Sequence, residues 1–129
     1  MLLEDEEIIE KKEFDDVKDL DYMIIKITDS VLKDREGNIY ETTRKYWRVN
    51  INKAQCFPYV VSVLNGVVCE VYEVDCWIET KNVNRKGRYE FIGKIAQDSI
   101  RNLFINNKLP QKYRKKGMAS PILYHYKES

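Results

Sequence analysis

The sequence predicts an α+β domain, a small curved mixed or antiparallel β-barrel of about six strands with two short helices. Three observations predict it. The β-rich runs before and after Asn65-Gly66 form a hairpin, because a type I′ turn needs positive φ at both central residues and Asn-Gly supplies it. The second run, Val67 to Glu79, is too long to stay straight, so a bulge or strong coiling is expected near Tyr72–Asp75, as in the curved hairpins that build barrels. No strand–helix–strand alternation is visible, so no parallel nucleotide-binding sheet is implied.

The elements follow in order. Tyr22-Met-Ile-Ile-Lys-Ile-Thr28 is a short β-branched apolar run and reads as a central strand. Asp29–Asn38 reads as a loop from its Asp, Ser, Lys and Gly content. Asn38 with Glu41 has capping-box spacing, so a helix of about two turns is expected to Arg44 or Lys45. Tyr46–Ile51 alternates as a strand, and Asn50–Gln55 is a turn or a single helical turn. After the hairpin, Thr80–Gly87 is a polar basic loop, and Arg88–Ile92 is a strand closed by Gly93. Gln97–Phe104 fits a short helix with Ile100, Leu103 and Phe104 inward. Asn106–Ser120 is a basic connector, and Pro121–Tyr126 is a last strand with proline at its first position.

A chain of 129 residues with 43% hydrophobic and 12% aromatic residues builds one domain with a real core. No apolar run is long enough to span a bilayer, and the acidic start carries no signal- or transit-peptide pattern. A cytoplasmic protein without a membrane partner is expected. The three cysteines, Cys56, Cys69 and Cys76, have no Cys-x-x-Cys spacing, and His125 is the one histidine. Buried reduced thiols are expected, and neither a metal nor another cofactor. Cys69 and Cys76 fall on opposite faces of a regular strand.

The net charge is +1, but it is unevenly spread. Residues 1–21 sum to −7 and read as an acidic N-terminal arm, residues 22–129 form the single domain, and residues 81–117 sum to +9. This asymmetry suits either a basic binding face with an acidic arm lying against it, or two ordinary solvated surfaces.

Three stretches together resemble the PUA-like group, which includes the ASCH, EVE and YTH domains. They are Thr42-Thr-Arg-Lys-Tyr-Trp-Arg-Val49 after a short helix, the strand–Gly–strand unit Tyr59–Trp77, and the late strand Arg88–Ile92 followed by a helix. The likeness is one of pattern over roughly residues 22–126. The segment Gly117-Met-Ala-Ser-Pro-Ile-Leu-Tyr124 is also similar to one that ends small uncharacterised bacterial or phage-type proteins. The PUA-like resemblance implies binding of RNA or modified DNA, often with one base held between aromatic walls. The chain departs from that pattern in having Trp47 and Trp77 on separate strands.

Enzyme motifs are nearly absent: there is neither a Gly-rich phosphate loop nor a nucleophile elbow. Glu73, Asp75 and Glu79 share a side of an unbulged strand, where they suit a Mg²⁺-dependent nuclease or a solvated face. His125 suits general acid–base work or plain packing. Bases interleaved with aromatics favour a non-catalytic binding module for a nucleic acid or nucleotide-like ligand. Trp47 and Tyr89 are the stacking candidates, and Arg44, Arg88, Lys115 and Lys116 the phosphate contacts. Trp47 and Trp77 equally suit core packing. If the two basic loops share one end of the domain, Lys81, Arg85, Lys86, Lys112, Arg114, Lys115 and Lys116 make one rim. The rival reading is a protein-interaction or regulatory module, such as an inhibitor in a bacterial or phage system. It would use exposed parts of Tyr72, Trp77 and Tyr89, or the acidic arm. The residues leave homodimerisation through an edge strand undecided.

Overall fold

The computed structural model describes residues 13–14, 17–114 and 120–128. Its framework is an open five-stranded mixed sheet in the order β4-β3-β2-β1-β5. The strands are β1 (Tyr22–Ile27), β2 (Tyr59–Leu64), β3 (Val67–Glu79), β4 (Tyr89–Ile95) and β5 (Ile122–His125). Four short α-helices are described: α1 (Asp29–Asp34), α2 (Ile39–Arg44), α3 (Ile51–Ala54) and α4 (Asp98–Arg101).

β1 is the central strand its composition predicts, between β2 and β5. Only Lys26 of its six residues is not fully buried. A strand buried on both sides needs a layer on each face. The crossover carrying α1, α2 and α3 covers one face, where Ile39, Tyr40, Trp47, Val49, Ile51, Ala54 and Phe57 meet Met23, Ile25, Val60, Tyr72, Trp77 and Phe91. The connection from β4 to β5 covers the other face, where Phe104, Leu109 and Tyr113 pack on Tyr22, Ile24, Val61 and Val71. With each face covered by its own layer, the sheet buries its apolar residues without closing on itself, so β4 and β5 remain edges. Phe14 and Val17, which the charge pattern assigns to the arm, sit in this second cluster, and the Phe14 ring meets Tyr22 and Phe104 edge-on.

Several local expectations hold. Asn65 and Gly66 take φ of 52° and 81°, the double positive φ of the predicted turn. Asn38 caps α2 by accepting the Glu41 N–H at 2.9 Å. β3 is bulged where its length demands: Asp75 falls between the pairs Val74↔Gly93 and Cys76↔Ile92. A second irregularity leaves Cys69 between Ser62↔Glu70 and Val63↔Val68.

The expected mixed sheet is present: β1 and β2 run parallel, because the chain between them crosses over one face of the sheet. Other expectations need correction. Residues 29–34 are helical, since the Thr28 hydroxyl accepts the Val31 N–H and Gly37, at φ 75°, lets its N–H return to the Leu32 carbonyl. In the expected strand 46–51 only Trp47 pairs with another described residue, because Asn50 turns the chain into α3 by accepting the Lys53 N–H. β4 runs through Gly93 to Ile95, and Leu103 is exposed beyond α4. Cys56 and Cys76 are exposed, while Cys69 is half-buried with Ser62 as its partner.

Gly93 is required by the bulge. A Cβ there would collide with the backbone carbonyl oxygen of Glu73, which cannot swing away as a side chain would. The freed Gly93 N–H is accepted by the Tyr40 hydroxyl at 3.0 Å. Gly93→Ala is therefore expected to lower stability by roughly 1–3 kcal/mol, the usual scale of overpacking, in urea unfolding followed by tryptophan fluorescence. Gly87→Asn at the loop turn is expected to cost much less, because nothing lies within reach of its Cβ and Asn tolerates positive φ.

Candidate anion-binding cleft

The site begins with the pairing of Trp47 and Tyr89, whose N–H groups donate to each other's carbonyls at 2.9 and 2.8 Å. This joins the end of the crossover to the edge strand β4. Trp47 is further fixed by its indole N–H on the Thr43 carbonyl at 2.7 Å. Arg88 donates to the Tyr46 carbonyl at 3.2 Å, and Asn82 donates to the Tyr46 hydroxyl at 3.2 Å. The loop between β3 and β4 is thereby fastened onto Tyr46.

Beside this junction lies a cleft of about 380 Å³ at the C-terminal end of β1. Its described lining includes Lys26, Arg35, Lys45, Arg85, Tyr46 and Trp47, with Asp34 as the one carboxylate among the described residues. The Tyr46 ring gathers three of the cations: Arg35, Lys45 and Arg85 each lie 5.3 Å from its centroid. A cation on an aromatic face gains about 0.5–1 kcal/mol at an exposed site. Neighbouring like charges repel by about 1 kcal/mol per pair at contact in bulk water and by several times that at a protein surface. The ring thus offsets part of the self-repulsion, and Glu41 beside Lys45 offsets more.

Each cation is held differently. Both Arg35 bonds use Nη1, to the carbonyls of Glu41 at 2.9 Å and Lys45 at 3.0 Å. Its Nε–Nη2 edge, the one suited to a bidentate anion, has no partner among the described residues. Lys45 pairs with Glu41 at 2.8 Å. Lys26 donates to the Tyr113 carbonyl at 3.4 Å, and burial pushes its ammonium below the ordinary value. A bound anion would oppose that shift. Arg85 lies exposed on the loop, its guanidinium against Tyr46.

The sequence-predicted residues divide. Arg44, Trp47, Arg88 and Tyr89 come together at the α2–β4 junction, but only Trp47 lines the cleft. Arg44 donates to the Phe91 carbonyl at 2.9 Å and to Glu90 at 2.7 Å, with the two side chains 13% and 14% exposed. Burial opposes its charge, but Glu90 and Glu41 outweigh burial and hold the guanidinium above its ordinary value. Lys115 and Lys116 lie outside the described residues. Of the expected rim, Arg85 reaches the cleft, whereas Arg114 pairs with Glu13 at 2.7 Å. Lys26, Arg35 and Lys45 were missed by the aromatic–basic grouping. The one available signal was Lys26, a lone cation in an otherwise apolar central strand.

The Asp75 bulge breaks the two-residue period that put Glu73, Asp75 and Glu79 on one side, and no group of three or more metal-ligating side chains occurs among the described residues. His125 is buried, stacked on Tyr22 at 4.4 Å, with Nδ1 2.9 Å from the Leu20 carbonyl it donates to. Tyr72 and Trp77 are each 3% exposed, so they offer no docking surface. Among the described residues, no helix is long and apolar enough to cross a membrane. No family model, curated protein or solved structure matches the chain.

Two outcomes follow from this geometry. Arg44→Gln is expected to cost roughly 1–3 kcal/mol in urea unfolding, the usual penalty for leaving a largely buried carboxylate short of its partner. The Glu41 carboxyl is held below its ordinary range, first by the Lys45 hydrogen bond, against burial and with help from Arg44. A depressed carboxylate stabilises the fold above its unfolded pKa, and that contribution disappears as pH falls through the depressed value. Lys45→Met is expected to move the Glu41 titration back toward the ordinary range in a carboxyl-resolved NMR titration.

Proposed function

We propose that the protein is a non-catalytic binding module for a nucleic acid or a nucleotide-like ligand, held in the cleft between α1, the end of α2 and the β3–β4 loop. The observation that carries this reading is the convergence of Lys26, Arg35, Lys45 and Arg85 on one aromatic-walled cleft with a single described carboxylate. Arg35 presents a guanidinium edge to a phosphate, Lys26, Lys45 and Arg85 supply counter-charge, and Trp47 supplies the aromatic wall. Arg44 and Arg88 serve as supports behind the wall, through Phe91 and Tyr46. The PUA-like resemblance, a likeness of pattern, implies the same ligand class, and a curled PUA-like barrel remains the finer fold proposal beside the open sheet. A cytoplasmic setting belongs to the same proposal and draws on three free cysteines, two of them exposed.

One observation favours a second reading. Ile92 and Ile95 are 40% and 56% exposed on the edge strand β4, which suits a protein partner. Capture of a partner that survives charge reversal in the cleft and fails with Ile95→Lys would select it.

Fluorescence-polarisation titration with labelled single-stranded RNA and DNA, at two salt concentrations, tests the first reading. Binding is expected to weaken steeply with salt, and Arg85→Glu is expected to weaken it by about tenfold or more. Arg85 makes no described side-chain hydrogen bond, so this variant leaves the fold intact. Salt-independent binding, or full binding by Arg85→Glu, would overturn the reading.

A further inference from the structure

The arrangement of the cations says more than their number. Arg35, Lys45 and Arg85 are each 5.3 Å from one ring centroid, so no two can be farther apart than twice that distance. Lys26 adds a fourth charge to the same cleft. The Tyr46 ring is therefore crowded by cations and is poorly placed as a platform for a base. It acts instead as the post around which the cations are gathered, while Asn82 and Arg88 hold that post from the β3–β4 loop.

Such a cluster matches an anion that gathers several charges within that span. A single-stranded backbone carries one charge per nucleotide, spread along an extended chain, and a protein that tracks it spaces its cations along a groove. A terminal phosphate carries about two negative charges on one group. A triphosphate places several charges on adjoining groups. The cleft volume of about 380 Å³ is at the small end for ligand sites and suits one nucleotide rather than a tract of strand.

We infer that the cleft takes closely spaced phosphates, those of a nucleoside triphosphate or of a 5′-triphosphate end of RNA, in preference to an internal phosphodiester backbone. Arg35 grips one phosphate by its Nε–Nη2 edge, Arg85 neutralises its neighbours, Lys45 adds a charge it shares with Glu41, and Trp47 walls the nucleoside side. This rests on the anion-binding reading above and narrows its ligand class.

Competition titrations test it, using a nucleoside monophosphate, the matching triphosphate, inorganic triphosphate, and one RNA oligonucleotide with either a 5′-hydroxyl or a 5′-triphosphate. The triphosphate forms are expected to bind about tenfold or more tightly than the monophosphate and the 5′-hydroxyl oligonucleotide. Inorganic triphosphate is expected to compete. The tighter of the free nucleotide and the triphosphorylated end names the source. Arg85→Glu is expected to remove most of the preference. Tyr46→Phe, which keeps the ring, is expected to retain it, and Tyr46→Leu, once shown to be folded, to reduce it. Equal affinity for the 5′-hydroxyl and 5′-triphosphate oligonucleotides, still sensitive to Arg85→Glu, would overturn the inference and leave the binding reading standing. Binding of none of these probes would overturn both.

Discussion

Two backbone hydrogen bonds between Trp47 and Tyr89 hold the walls of the cleft in one register. The crossover from β1 to β2 is irregular over residues 45–50, where the Trp47 indole donates to the Thr43 carbonyl and Arg35 to the Lys45 carbonyl. Pairing at Trp47 ties it to β4. On one side of that pair, Arg44 reaches the Phe91 carbonyl and Glu90. On the other, Tyr46 is presented to the β3–β4 loop, which binds its carbonyl through Arg88 and its hydroxyl through Asn82. The cleft therefore depends on an edge-strand contact as well as on the core beneath it, against which Trp47, Val49 and Tyr89 pack.

Much of the framework is legible in the chain. β1, the Asn65-Gly66 hairpin, the Asn38 cap and the kink in β3 each have a local cause that a short window displays. The same windows mislead where tertiary pairing decides. Tyr46–Ile51 has strand alternation, but a strand forms only where a partner edge is in reach, and β4 offers one position before Asn50 turns the chain away. The parallel pairing of β1 with β2 is hidden because three short helices, rather than one amphipathic helix, make the crossover. Helix α1 was readable in part: Thr28 and Gly37 bracket it, but a polar stretch without buried residues gives no periodic stripe.

The cleft is less legible than the fold because its cations come from four separate places. Lys26 belongs to β1, Arg35 follows α1, Lys45 ends α2 and Arg85 sits on the β3–β4 loop. Each alone is an ordinary surface or strand charge. Sequence grouping favours neighbours along the chain, so it selected Arg44 for its closeness to Trp47. Helix geometry instead turns Arg44 toward β4, where Tyr40 on the preceding turn lies 5.5 Å from its guanidinium.

The charge asymmetry now has a physical reading that the sum of charges lacked. Two bases of the second half are paired within the fold: Arg101 with Glu70 at 2.6 Å and Arg114 with Glu13 at 2.7 Å. These pairs are satisfied within the fold and add little to any field in solution. The cleft cations differ, since Arg85 has an aromatic ring rather than a carboxylate beside it, and Arg35 is held by carbonyls that leave its charge uncancelled. A carbonyl or a ring positions a cation without neutralising it. Arg35 and Arg85 held in this way keep a positive potential at the cleft, which a pairing with carboxylates would have cancelled.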